Sequence, residues 1–555
     1  MRLSFVLPEG EAPVEGDFPL GRGVTVWEAA RRLGLPLAVP CGGQGLCGKC
    51  AVRLHPAPPP TPRERRLLTA EQLARGTRLA CLCQPEESAV VQVEEAPPSP
   101  RPAAAFPAVV PVDPGQEGWG VAVDLGTTTL SAGCVDLATG AVLAAATASN
   151  PQVQYGDDVL ARLGYALKGP AAREELRRAV LEGLNALIAK VAAEAGVPVE
   201  RLESAVVVGN PAMHHLLLGL EVTHLARAPH QPVSLEARDE AAAALGLSLA
   251  EEVRVYLPPL VGGFVGSDAL AMGLAEGLLT PGGRRLAVDL GTNGEALLAT
   301  PDGVYACSTA AGPAFEGGGL RCGLRAGPGA VVAVEPGRPL TVHTLDGSAP
   351  RGLAGSGVLS AAATLLALGA LTPNGRLRSP DELPESPWPG LAERLVALPG
   401  GLRAAVLVPA GETATGADLV LTQNDLRHLQ LAKGALRAGV EALLRRAGVD
   451  AGELDEVLLA GAFSQGLLPE NALATGLLPP VAAARVRAVG NAAWRGAALL
   501  LGRPSLREQA AEAAGRIVHV PLADDPDFAA LYLAALDFPV SPAGSGSRRP
   551  GGSAV

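Results

Sequence analysis

Charged and aromatic residues are both scarce in this chain of 555 residues: Asp, Glu, Lys and Arg together make up 18% and Phe, Tyr and Trp 3%. The basic residues number 45 against 56 acidic ones, net −11, and no block of Lys or Arg stands out. That excludes a nucleic-acid groove, because phosphate backbones require a basic footprint. No uninterrupted apolar run reaches transmembrane length despite a mean hydropathy of +0.25, so no membrane span is expected. The opening MRLSFVLPEG lacks the apolar core and cleavage site of a secretory signal, and a cytoplasmic protein is the expectation. What the chain has in quantity is Gly (68) and Pro (49), spread over a length that calls for two to four domains rather than one core.

The first ninety or so residues read as short strands and turns, with strands at 2–7, 51–55 and 90–94, a short helix at 24–33 and helical spacing at 61–76. From 96 to 118 the sequence APPSPRPAAAFPAVVPVDPGQEG is Pro-rich and predicts an extended, semi-rigid tether. Beyond it, strands ending in Gly-rich turns alternate with long Ala/Leu helices, an α/β pattern. VAVDLGTTTLSAG at 121–133 and LAVDLGTNGEALL at 286–298 resemble each other, which implies an internally duplicated fold. The expected division is a domain at 1–95, the tether at 96–118, a middle domain at 119–200, a larger domain at 201–538 and a disordered tail at 539–555.

Five of the eight cysteines fall between positions 41 and 83. In a chain with cytosolic character, clustered thiols signal metal rather than disulfides. Cys41, Cys47 and Cys50 are spaced by five and two residues in CGGQGLCGKC, and Cys81 follows thirty residues later in RLACLC. Gly42, Gly43, Gly45 and Gly48 suit a loop that wraps closely round an inorganic cluster. The arrangement resembles the 2Fe-2S ferredoxins, with the five-residue first gap of the adrenodoxin-like branch. That resemblance implies a β-grasp domain with Cys41, Cys47, Cys50 and Cys81 as ligands; Cys83 is the alternative fourth ligand. A structural zinc site or inert thiols are the plainer readings, and one distant fourth Cys behind a Gly-rich loop fits neither well.

In DLGTTT, Asp124 ends an apolar strand, Gly126 allows a tight turn, and Thr127, Thr128 and Thr129 present hydroxyls and N–H groups suited to phosphate oxygens. Asp289, Gly291, Thr292, Asn293, Gly294 and Glu295 repeat the device in DLGTNGE. Paired turns of this kind resemble the acetate and sugar kinase, chaperone and actin superfamily, which implies an ATP site with Mg2+ between them. By that resemblance Gly461 in AGAFSQG belongs to an adenosine loop, and Asp124 and Asp289 do the Mg2+ and water work. AGSGVLS at 354–360 is a Gly turn into a helix that faces ribose or phosphate, or simply starts a helix. Asp268, Glu295 and Glu316 are further acidic candidates; His214, His215 and Lys433 read as packing or surface residues, and Cys134, Cys307 and Cys322 as isolated thiols.

The combination of CGGQGLCGKC with RLAC, VAVDLGTTT, NPQ at 150–152 with YGDDVLARL, VGNPAMHHLLLG, FVGSD, DLGTNGE, LTQNDLRHLQLAKGAL and LAGAFSQG resembles the reductive activators of corrinoid enzymes over nearly the whole chain. The resemblance implies ATP-dependent transfer of one electron from the 2Fe-2S cluster to a corrinoid protein, reducing Co(II) to Co(I). It also implies a low-potential electron donor and a homodimer. Three rival readings are an activator of a 2-hydroxyacyl-CoA dehydratase, a kinase with an appended redox sensor, and an ATP-gated assembly protein. The separate ferredoxin-like domain argues against the first, and the lack of an evident substrate-deprotonating base against the second.

Overall fold

The computed structural model describes residues 1–7, 12–19, 23–35, 37, 39, 43, 45, 48, 50–93, 106–337, 339–384, 388–461, 464 and 466–540. The N-terminal part is a five-stranded sheet in the order Val14–Asp17, Arg2–Val6, Ala89–Gln92, Ala51–His55, Thr77–Leu79. Alternating Leu3 and Phe5, Val52 and Leu54 turn one face of it inward. The helix Val26–Arg32 is started by a Thr25/Glu28 capping box and buries Val26, Trp27, Ala29 and Ala30. This is the β-grasp arrangement expected from the cysteine spacing.

The remainder is built twice. One six-stranded sheet runs Arg238–Ala241, Arg254–Leu257, Leu202–Gly209, Trp119–Leu125, Thr129–Asp136, Val142–Ser149. The other runs Val486–Gly490, Glu456–Ala460, Arg285–Leu290, Gly294–Thr300, Gly303–Thr309, Val518–His519. In each, three antiparallel strands are followed by a 25-residue helix, Pro170–Glu194 or Gln423–Ala447, and then by a strand that returns parallel to the first. Because Leu202–Gly209 pairs with Trp119–Leu125, the first sheet continues to Leu257 and crosses the border expected at residue 200.

The second half of the Pro-rich segment is not a free tether. Val110 N–H donates to Gly140 O at 2.8 Å, Asp113 accepts from both Ser505 N–H and Oγ, and Phe106 meets Trp494 edge-on at 4.8 Å. The Asp113 N–H likewise donates to Gly502 O at 2.8 Å, long-range pairing that local composition does not foretell. Residues 96–105 and 541–555 lie outside the described residues.

The two halves meet where helix Ser267–Ala275 crosses helix Ala492–Gly502. A Cβ on Gly496 would lie 2.0 Å from Ala271 O, so the crossing distance requires glycine. Fully buried Trp494 projects from the second helix into the first sheet. Its Nε1–H donates to Ala122 O at 3.0 Å, and its ring fills the space a side chain on Gly133 would take.

The N-terminal domain docks on the first half through Arg31. Its guanidinium lies 5.5, 5.2 and 5.5 Å from the ring centroids of Trp27, Tyr155 and Tyr165, pairs with Glu175 at 3.2 Å and donates to Tyr165 Oη. Tyr165 Oη in turn donates to Glu175 at 2.6 Å. A cation held by aromatic faces and a hydrogen-bonded carboxylate contributes about 2 kcal/mol. Arg31→Ala is therefore expected to speed hydrogen exchange in segments 26–32 and 159–166 by roughly 30-fold, leaving the sheet strand Leu202–Gly209 unchanged.

Candidate functional site

The two DLGT turns close over a cavity of about 330 Å³. Strand Trp119–Leu125 delivers Asp124, strand Arg285–Leu290 delivers Asp289, and the cavity is also lined by Gly126, Thr127, Thr128, Thr129, Gly291, Thr292, Asn293, Glu295 and Gly461. Of the expected nucleotide-binding residues only Gly294 lies off the lining. It starts strand Gly294–Thr300, where a Cβ would lie 2.3 Å from Leu436 Cδ1, so its glycine serves packing. Gly126 is needed by its turn, since a Cβ there would sit 2.4 Å from Thr129 O.

The turns touch. Thr128 Oγ1 and Thr292 Oγ1 are 2.7 Å apart, and Thr292 donates to Glu316 Oε1 at 2.8 Å. Three asparagines brace them: Asn150 Nδ2 donates to Gly126 O (2.9 Å), Asn210 Nδ2 to Thr127 Oγ1 (2.9 Å) and Asn491 Nδ2 to Asp124 Oδ2 (2.9 Å). Asn210 and Asn491 each also cap a helix, accepting from Met213 N–H and Trp494 N–H. Asn491 crosses from the second half to the first. Neither Asn491 nor Arg325, which also lines the cavity, stands out in the sequence; the shared Gly-Asn-x-Ala of 209–212 and 490–493 was the available signal.

Five carboxyl groups line this space, those of Asp124, Asp268, Asp289, Glu295 and Glu316, and burial pushes the first four up. Asp124 rises to about 6 and Asp289 to about 7, the latter also through repulsion by Asp124 and Glu316. Asp268 and Glu295 are raised as well, by burial first and then by neighbouring carboxylates. Hydrogen bonding opposes the rise at three of them, from Asn491 on Asp124, the Ala269 N–H on Asp268 and Ser308 on Glu295. The basin thus favours a multivalent cation. No three His, Cys, Asp or Glu side chains among the described residues stand close enough together to hold a metal ion by themselves.

Helix Gly355–Ala367 points its start at the same cavity. Its N-cap, Ala354, has no capping side chain, and Ala354, Gly355 and Ser356 line the space, so helix N–H groups face it unspent. A Cβ on Gly355 would lie 1.9 Å from Phe315 O, which explains the glycine. Gly461 adopts φ +88°, and a Cβ there would meet Asp289 Oδ1 at 2.5 Å. Ala462, Phe463 and Gln465 of the same loop lie outside the described residues.

The remaining candidates are structural. His214 Nε2 lies 2.9 Å from Ser267 Oγ, and burial pushes this imidazole down to about 3; His215 accepts from Val233 N–H at 2.9 Å. Lys433 is fully buried, contrary to a helix-surface position. It donates to Ala535 O (2.7 Å) and Asp537 O and sits 4.9 Å from the Phe538 ring, pinning the C-terminal segment. Cys134 and Cys307 are buried and Cys322 half-buried.

In the N-terminal domain Cys50 Sγ and Cys81 Sγ converge to 3.2 Å. Cys41 and Cys47 lie outside the described residues. Gly43, Gly45 and Gly48 have φ of 83°, 67° and 70°, and a Cβ on Gly43 would lie 2.3 Å from the Trp27 ring. A left-handed glycine loop with two thiols turned onto one point fits a 2Fe-2S group. Cys83 is buried too, and burial followed by Glu64 pushes its thiol up to about 12.

Comparison with known proteins bears on the whole arrangement. Residues 12–86 match the 2Fe-2S iron-sulfur cluster binding domain, 119–280 the RACo middle region, and 284–545 the C-terminal ASKHA domain of RACo. The corrinoid activation enzyme RamQ of Eubacterium limosum is 35% identical over 425 residues, covering 75% of this chain and 69% of that protein. The chain belongs to the family of corrinoid activators. Within that family it is also 26% identical over 454 residues to the [Co(II) methylated amine-specific corrinoid protein] reductase of Methanosarcina barkeri, covering 76% of this chain and 77% of that one. A solved structure of a reductive activator for corrinoid, iron-sulfur protein superposes with a TM-score of 0.70 at 26% identity, covering 98% of this chain and 99% of the other. The family's two body regions meet between 280 and 284, where one six-stranded sheet gives way to the other. Cys81→Ser is expected to abolish the visible absorption of the cluster and Cys83→Ser to preserve it, measured on anaerobically reconstituted protein.

Proposed function

We propose that this chain is an ATP-hydrolysing reductive activator, which passes one electron from a 2Fe-2S cluster to a corrinoid protein and so converts Co(II) to Co(I). The observation that supports it most is the presence in one chain of a cysteine loop shaped for a cluster and a phosphate cavity, linked by the docked Arg31. Cys41, Cys47, Cys50 and Cys81 would hold the cluster, which supplies one-electron chemistry at low potential.

The residues of the body bind and position the nucleotide. Thr127, Thr128, Thr129, Thr292 and Asn293 receive phosphate oxygens, the start of helix Gly355–Ala367 adds its N–H groups, and Gly461 belongs to the adenosine side. Asp124 and Asp289 would hold Mg2+, which would neutralise phosphate charge, and would orient the attacking water, with Asn491 fixing the Asp124 carboxylate. ATP and water become ADP and phosphate. For a one-electron step about 59 mV is tenfold in equilibrium, so coupling to hydrolysis lets an electron move against a gap on the order of 100 mV.

A low-potential carrier refills the cluster, and the working form is a homodimer. The deciding experiment follows the Co(I) band after mixing the protein with a Co(II) corrinoid protein and reductant, with and without Mg-ATP. Co(I) is expected only with Mg-ATP; ATP consumption without Co(I) across several corrinoid proteins would overturn the reading. Asp289→Asn is expected to slow ATP turnover roughly 100-fold while the cluster stays reducible by a chemical donor.

A further inference from the structure

Charge is unevenly divided along the chain. Residues 1–93 carry 11 Lys and Arg against 9 Asp and Glu, net +2, on a chain whose total is −11, so the rest carries −13. Part of that excess is gathered on one turn of helix, Glu64–Leu67, and its flank. Arg63, Arg65 and Arg66 are exposed there, while Glu64 between them is turned inward and buried. Glu64 accepts from Leu79 N–H at 2.7 Å and from Thr61 N–H at 2.7 Å. The one acidic residue of the turn is thus spent on pinning the helix to the strand that leads into Cys81, and its charge is withdrawn from the surface. Arg65 is steadied by donating to Pro60 O at 3.3 Å, and among the described residues neither Arg65 nor Arg66 has an ion-pair partner.

The turn is adjacent to the cluster loop. Leu67 is 40% exposed, and a Cβ on Gly48 would lie 3.5 Å from Leu67 Cβ. On the opposite side the loop is backed by Trp27, whose ring lies against Gly43 and which helps to dock the domain on the body. The arginine face therefore remains open while the Trp27 face is covered. An arginine pair with an exposed Leu beside it, next to a redox centre, fits a carrier with acidic side chains round its own centre.

We propose that Arg65, Arg66 and Leu67 form the docking face for a small acidic redox protein that reduces the cluster while the domain is docked. At contact the carrier gives up one electron to the cluster, and no bond forms or breaks. The net negative charge of the body does not forbid the approach, because at physiological salt the screening length is about 8 Å and a docking carrier senses the arginines first. The proposal rests on the cluster reading of the N-terminal domain and not on corrinoid reduction.

The test uses the full chain with its cluster reconstituted, in wild-type form and as Arg65→Glu/Arg66→Glu, with a small acidic ferredoxin as the probe. Binding of the ferredoxin is measured by biolayer interferometry at low and high salt, and cluster reduction by stopped flow with the reduced ferredoxin. The double variant is expected to weaken binding and slow reduction at low salt by roughly 10-fold and to flatten the salt dependence of both. Cluster absorption, ATP hydrolysis and reduction by reduced methyl viologen should not fall. Arg65→Gln/Arg66→Gln should give an intermediate effect, which separates charge from misfolding. Unchanged binding and reduction would overturn the proposal. So would normal reduction by ferredoxin with a slowed Co(II) step, which would assign the face to the electron acceptor. A protein that accepts ferredoxin electrons normally but never yields Co(I) would count against the proposed function and leave this face in place.

Discussion

The crossing of helices Ser267–Ala275 and Ala492–Gly502 is the constraint from which the nucleotide cavity follows. Gly496 lets the second helix approach the Ala271 carbonyl closely, and Trp494 then anchors it in the first sheet through Ala122. Only with that approach does Asn491, at the helix start, reach Asp124 from 367 positions away. The same approach brings the two DLGT turns within hydrogen-bonding distance. The packing of glycine and tryptophan in the centre is thus what gives the polar groups at the periphery their geometry.

The acidic basin has an energetic logic of its own. The carboxyls of Asp124, Asp268, Asp289 and Glu295 round one cavity resist ionisation, since each is desolvated and they repel one another. Such an arrangement costs the fold stability, which any ligand that binds only the folded state would offset. The unspent N–H groups at the start of Gly355–Ala367 complement it from the other side, offering positive potential to phosphate where the carboxyls offer negative potential to the metal.

Much of this was legible in the sequence because the informative residues are locally dense. Cys41, Cys47 and Cys50 are rare residues at a defined spacing, and Asp124 and Asp289 each end an apolar strand in the same four letters. What was not legible depends on partners far along the chain. Asn210 and Asn491 each cap a helix and make a second hydrogen bond, to Thr127 and Asp124, and the one from Asn491 depends on the halves being apposed. Lys433 looked like a surface residue because nothing near it announces that residues 535–538 fold back over it. The border at 200 failed for a similar reason: a long helix followed by Gly-Val-Pro looks like an ending, and parallel pairing across some eighty residues leaves no local mark. The Pro-rich segment misled in the opposite sense, since its composition describes an isolated chain and not one hydrogen-bonded to Gly140 and Ser505.

The hydroxyl pair of Thr128 and Thr292 gives the cleft a clasp. A neutral bond of this kind is worth about 1 kcal/mol net, and bonds to charged oxygens about 1.5–3 kcal/mol each. A phosphate oxygen that takes up both hydroxyls would replace the Thr128–Thr292 bond and the bond from Thr292 to Glu316, and would draw both turns onto the same ligand. Because the hydrogen of the Thr292 hydroxyl goes to Glu316, Thr128 is the donor of the pair. The pair thus ties the two turns together at one point and sets the register in which the halves face each other.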